Sequence, residues 1–248
     1  MTTPEPRSCR FCGGRPVSRE HVLPGWLSRA LGIDDLPVIM SGEQSGTIRP
    51  MKGLDIVVKS VCVRCNTGWL SDLESRTGDL LTTAIQGNRV VFLPEDQHLA
   101  ATWATKTALL LELALEGPRG TAYSPADNAA WLYAHGEPPP GTEVWVGAVG
   151  PALTGHVWLS SSTGFRRADD GSEELHAYLS AMAIGHLLFQ VFGEDIGSDM
   201  QIKLGPIPKT FLKQIWPVSA DRVLWPTAPL IQAADLSRIW PLQPVTPP

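Results

Sequence analysis

Cys9-Arg10-Phe11-Cys12-Gly13-Gly14 and, further along, Cys62-Val63-Arg64-Cys65-Asn66 hold every cysteine of this 248-residue chain. A Cys-x-x-Cys pair lets two thiolates of one tight turn reach the same ion, and two such pairs complete a tetrahedron. Zinc takes structural S₄ sites of this kind. Gly13-Gly14 directly after the first pair suits a knuckle turn. Two disulfides or four unrelated buried thiols are the alternatives. A cytosolic setting disfavours the first, and the pairing of all cysteines as two identical units disfavours the second. Residues 1–66 are rich in Gly, Pro and Arg and contain no long apolar helix before the second pair. A structural zinc would therefore supply folding energy that so small a core lacks, and this segment would be the first to unfold without it.

The composition is globular, with 43% hydrophobic and 18% charged residues. That excludes disorder over most of the chain. The longest apolar run, Ala108 to Leu115, is interrupted by Glu112 and falls short of the roughly 18–20 residues of a membrane helix. No membrane partner is expected. The opening Met1-Thr2-Thr3-Pro4-Glu5-Pro6-Arg7 lacks the apolar core of a secretion signal, so the expected location is cytoplasmic. The formal charge of −5 divides into +3 over residues 1–66 and −8 over the remainder. A nucleic-acid partner would favour the first part and be repelled by the second.

Between the cysteine pairs stands Ser18-Arg19-Glu20-His21-Val22-Leu23-Pro24-Gly25-Trp26, and after Cys65 comes Asn66-Thr67-Gly68-Trp69-Leu70-Ser71-Asp72-Leu73-Glu74. The ordered series of CxxC, an acid-His pair with an apolar residue and Pro behind it, a second CxxC and then Asn resembles the HNH endonuclease family. The likeness is to its zinc-bound treble-clef kind and covers about residues 8–75. It implies a ββα-metal module in which His21 is the general base, while Glu20 and Asn66 hold a catalytic divalent ion, Mg²⁺ or similar. Cys9, Cys12, Cys62 and Cys65 would bind the structural Zn²⁺, and DNA would be the substrate. The residue types suit phosphodiester hydrolysis. A hard cation neutralises developing charge, and a neutral imidazole takes the proton of the attacking water.

Glu20 and His21, as neighbours in a regular strand, point to opposite faces. Both serve one site only if a bulge or strand end re-aims one of them. Asn66 has a second use as a helix N-cap, and His21 as an ordinary histidine before a Pro-Gly turn. The sequence departs from the family by an insertion at about residues 30–52. It also has no Asn shortly before the second CxxC, where it reads Asp55-Ile56-Val57-Val58-Lys59-Ser60-Val61. Asp55 is the residue that could take the place of that Asn.

Beyond Trp69 the apolar spacing of Leu70, Leu73, Leu80, Leu81, Ala84 and Ile85 predicts a helix of four to five turns, ended by Gly87-Asn88. Arg89–Leu93 reads as a strand. Gln97–Glu116 is apolar on most faces and reads as a buried helix in which Lys106 must be paired or snorkelling. Ser124-Pro125 opens a helix to about His135. Val144–Val149, His156–Leu159 and Gly164–Arg167 read as an antiparallel meander, and Glu174–Phe192 as a strand entering a helix. Trp216-Pro217, Trp225-Pro226 and Trp240-Pro241 are read as strand ends packed over a core, or else as a base-stacking platform. His98, His135, His156, His176 and His186 lack ligand-like spacing.

The expected fold is α+β, with a zinc-stabilised module at residues 1–95 and a larger α+β domain at 96–248. The latter would serve target recognition, a protein partner or homodimerisation. The expected function is a metal-dependent DNA endonuclease. A catalytically inactive scaffold that binds nucleic acid or a protein is the alternative, and a third possibility is another phosphate-containing substrate.

Overall fold

The computed structural model describes residues 8–15, 17–32, 37–42, 49–52, 54–115, 126–167, 173–194 and 208–235. The cap at Ser124-Pro125 and the Trp240-Pro241 pair lie outside these residues. The protein is α+β.

The chain enters through the first cysteine turn and strand β1 (Val17–His21), followed by the short helix α1 (Trp26–Leu31). Strands β2 (Pro37–Gly42), β3 (Arg49–Lys52) and β4 (Val57–Cys62) come next, and β1 pairs with β4 antiparallel. The second cysteine pair sits on a helical turn, α2 (Val63–Cys65). A wider turn (Asn66–Leu70), kinked at Gly68 with φ −104° and ψ −114°, leads into helix α3 (Ser71–Ile85).

After β5 (Val90–Phe92), helix α4 (Pro94–Leu115) runs for 22 residues. Its start follows from the local sequence. Pro94 fits a first turn, where its missing N–H costs nothing. The Asp96 carboxylate accepts the Leu93 amide at 3.0 Å while the Gln97 amide donates to the Leu93 carbonyl at 2.8 Å. Every residue from Ala100 to Glu112 is buried, so α4 has no polar stripe and must be surrounded. On one side it meets a seven-stranded sheet, on the other α3 and β4, and helix α5 (Ala126–His135) also packs on it.

The sheet order is β10-β6-β9-β8-β7-β2-β3, from β6 (Thr142–Ala148), β7 (Val157–Arg167), β8 (Glu173–Ile184), β9 (Leu187–Glu194) and β10 (Leu212–Trp216) with the inserted β2–β3 pair. Every pairing is antiparallel except β2 with β7. The runs expected at His156–Leu159 and Gly164–Arg167 form one strand with an irregularity between Gly164 and Phe165. Strand β6 adjoins β9 and β10, so the meander runs β7-β8-β9 and then adds β6.

The strand-into-helix expectation for Glu174–Phe192 is corrected to a hairpin, β8–β9, joined through Gly185-His186. Burial on both faces explains the misreading, because a strand covered on both sides loses the alternation that marks it. The hairpin tip docks on the end of α3, where the His186 amide donates to the Ile85 carbonyl at 2.9 Å. Gly185 has φ +55°, and a Cβ there would lie 2.5 Å from the Ile85 oxygen.

Two sheets cross the boundary expected near residue 95. The insertion between the cysteine pairs adds β2 and β3 to the large sheet, and β5 pairs with β11 (Val223–Trp225). One apolar cluster accordingly runs from Cys9 to Trp225. Trp216 and Trp225 close their strands, Trp225 fully buried and Trp216 partly so. Among the described residues, no helix is long and apolar enough to cross a membrane.

Two outcomes follow from this arrangement. A fragment of residues 1–95 loses the partners of β2 and β5 and is expected to show no cooperative melt by circular dichroism, even with zinc. Gly185→Ala in the whole chain is expected to cost about 2 kcal/mol or more, read from the urea midpoint, because it adds a left-handed backbone penalty to a clash.

Candidate metal centre and the two faces of strand β1

Cys9, Cys12, Cys62 and Cys65 place their sulfurs within 4.8 Å of one another, and no disulfide joins them. Sulfurs at the corners of a ZnS₄ tetrahedron with bonds of about 2.3 Å stand about 3.8 Å apart. The Cys12–Cys62 separation of 3.5 Å is close to that. The donor set therefore fits a metal ion such as zinc.

The first turn is closed by reciprocal backbone bonds, Cys9 amide to Gly14 carbonyl and Gly13 amide to Cys9 carbonyl, each 2.9 Å. Gly13 is left-handed at φ +69°, and a Cβ on Gly14 would lie 3.1 Å from the Cys12 sulfur. Glycine is thus favoured at Gly13 by the left-handed backbone and at Gly14 by the close sulfur. Burial pushes the Cys12 and Cys65 thiols up. Burial acts the same way on Cys62, but the Cys65 amide and the neighbouring thiols outweigh it and bring Cys62 down to about 7. Trp69 packs edge-on against Phe11 with ring centres 5.1 Å apart, covering the knuckle.

On the outer face of the β1–β4 hairpin, His21 Nε2 lies 3.1 Å from an Asp55 carboxylate oxygen. Both side chains are more than half exposed. The pair forms because the hairpin ladder extends past its last residues: the Val22 amide donates to the Ile56 carbonyl at 2.8 Å, setting Asp55 beside His21. A neutral imidazole that donates Nε2–H to Asp55 leaves Nδ1 as the acceptor.

Asn66 is not an N-cap. Its backbone is helical, at φ −60° and ψ −52°. Its side-chain amide donates to Ser18 Oγ at 3.1 Å and to the Arg19 carbonyl at 2.9 Å, clamping the helix start to β1. The irregularity anticipated near this strand is present between Ser18 and Glu20, but the extra residue is on β4. It therefore leaves the alternation of β1 intact.

Glu20 consequently faces inward and is only 5% exposed. Its electrostatic neighbours are Lys106 of α4 and Glu74 of α3. Lys106 is fully buried and donates to Glu74 Oε1 at 2.7 Å. It is paired rather than snorkelling. Burial raises the Glu20 carboxyl, Lys106 opposes this and Glu74 adds to it, leaving Glu20 at about 7. Glu74 also lines an open groove of about 430 Å³ between α1 and α3, together with Trp26, Arg29 and Asp79.

The structure thus joins His21 to Asp55 and Asn66 to β1, and gives Glu20 a separate set of partners. As placed, Glu20 and Asn66 do not fit a divalent ion shared with His21. Among the described residues, the four cysteines are the one group of three or more Cys, His, Asp or Glu side chains placed to hold a metal. Sequence reasoning missed the acidic half of the buried cluster. Its signal was Lys106 alone in an apolar helix, which demanded a buried carboxylate that spacing could not identify.

The purified protein is expected to carry one zinc per chain by atomic absorption, and Cys65→Ser to lose it and to melt as a whole at a lower temperature. Glu20 carries its own signature. Its folded pKa of about 7 exceeds the 4.5 of an ordinary glutamate, so the folded state holds the proton longer. Stability therefore falls as pH rises from about 4.5 to 7 and levels off above that. Glu20→Gln is expected to match wild type near pH 4 and to exceed it at pH 8 by an amount of order 3 kcal/mol, measured by urea denaturation.

No protein-family model, no curated protein and no solved structure matches this chain in the three comparisons.

Proposed function

We propose that the protein is a nuclease of the HNH kind, hydrolysing DNA phosphodiester bonds with His21 as general base, in a treble-clef scaffold fixed by zinc at the four cysteines. The observation that carries this reading is the His21–Asp55 pair at 3.1 Å, on a strand that Asn66 clamps to the start of the following helix. Asp55 takes the positioning part for which the family uses an Asn. By accepting Nε2–H it fixes the tautomer that leaves Nδ1 free to draw a proton from water. Exposure of His21 leaves that nitrogen open to water and substrate. A cysteine turn, the paired strands β1 and β4 with α1, β2 and β3 between them in sequence, a second cysteine turn and a helix support the ββα comparison. No step is assigned to a divalent ion, because Glu20 is turned toward Lys106 and Glu74.

That same burial of Glu20 favours a second reading, a zinc-stabilised protein that binds nucleic acid without cutting it. The two separate in one assay. Supercoiled plasmid is incubated with the protein, with and without added Mg²⁺, Mn²⁺ or Ni²⁺. Nicking or linearisation is expected from wild type, a loss of about 100-fold or more from His21→Ala, and a loss on the order of tenfold from Asp55→Asn with an altered pH profile. Undiminished cleavage by His21→Ala would remove His21 as the base. Binding without cleavage in every condition favours the second reading.

A further inference from the structure

The hairpin face that carries His21 is edged with cations. Alternation along β1 sets Arg19 on the same side as His21, and both are exposed. Lys59 is exposed on β4. Ser18 pairs with Val61 and Glu20 with Val58, so Arg19 alone stands opposite Lys59 and Ser60. The cysteine knuckle is tied to this point, the Arg10 amide donating to the Ser60 carbonyl at 2.8 Å. Arg15 after the knuckle and Arg64 on the second cysteine turn are exposed as well.

Among the described residues, Arg15, Arg19, Lys59 and Arg64 enter no ion pair. The described acidic residues between 8 and 66 are Glu20, which is buried, and Asp55, which holds His21.

We infer that this face binds the phosphate backbone of duplex DNA, with Arg19 and Lys59 as phosphate contacts beside His21. The inference deepens the proposed function by naming the contacts of the same face. Charge sets the partner. The face is cationic on a chain whose residues beyond 66 carry −8, so a polyanion is repelled from the remainder and steered here. Among the described residues, this face presents no open aromatic platform, which favours duplex over single strands. Of the nearby aromatic residues, Phe11 is buried and Trp69 packs against it, whereas single-strand binders present open aromatic platforms. The extra residue of β4 sets Arg19 opposite Lys59 on the exposed face of the ribbon, so the two cations stand together as backbone-positioning contacts.

The test uses full-length His21→Ala protein and fluorescently labelled duplex DNA in buffer without added divalent ion, followed by anisotropy from about 50 to about 200 mM NaCl. Arg19→Gln/Lys59→Gln in that background is expected to weaken binding about tenfold or more and to lower the salt slope by about 2. Arg222→Gln, an exposed cation elsewhere, is the control and should change neither. Zinc content and melting temperature confirm that the double variant is folded, and a milder Lys59→Gln single should lower the slope by about 1. Unchanged affinity and slope in the folded variants overturn the interface, as does an absence of salt-sensitive binding in the His21→Ala parent. Binding that depends on these cations, in a wild type that never cleaves, supports the interface and defeats the nuclease reading alone.

Discussion

The middle of helix α4, Ala100–Glu112, has no solvent face, and much of the architecture answers that constraint. A helix buried over Ala100–Glu112 needs apolar cover on every side, which a single sheet cannot give. The sheet covers one side, α3 with the β1–β4 hairpin another, and β5 borders its start. The N-terminal part of the chain that carries the four cysteines is thereby a wall of the common core, continuous with it from Cys9 to Trp225. The charges on α4 gain meaning from the same constraint. A fully buried lysine is tolerable only when paired and hydrogen-bonded, and Lys106 draws Glu74 and Glu20 from two different elements to its side.

Strand β1 consequently has two chemistries back to back. Its inward side gives Glu20 to the buried cluster, where a carboxyl keeps its proton to near neutrality. Its outward side gives Arg19 and His21 to solvent, with Asp55 fixing the imidazole. Asn66 binds the strand to the helix start between these two environments. Both cysteine turns border the end of this hairpin where Val17 pairs with Cys62, opposite the end that carries His21, and the Lys106–Glu74 ion pair lies behind Glu20.

Local signals in the sequence were the legible ones. The two CxxC spacings led to the four-cysteine cluster, and the apolar periods placed α3 and α4 to within a few residues. The pairing demanded of Lys106 and the packed Trp-Pro strand ends were legible for the same reason, since each is a burial argument about one residue. Long-range pairings left no such trace. Nothing near Pro37–Gly42 announces a parallel partner at Val157, and a strand buried on both faces like β9 looks much like helix in its composition. The register that brings Asp55 to His21 depends on an irregularity at Lys59-Ser60, which no residue there signals. Glu20 was legible as a residue of chemical interest, but its direction was set by which strand carries the extra residue.

The parallel pairing of β2 with β7 has a consequence for how the chain acquires its shape during synthesis. Val38 must meet Val157, a partner that emerges from the ribosome long after both cysteine pairs. The four cysteines lie close enough in sequence to assemble early, whereas the β2–β3 pair between them has no sheet to join until most of the chain has been made. Loop-closure entropy delays such distant contacts, and an unpaired strand edge is open to wrong partners meanwhile. A metal bound at the four cysteines would act as a clasp on a nascent chain, holding the two ends of the insertion together while its free edge waits for the sheet to arrive.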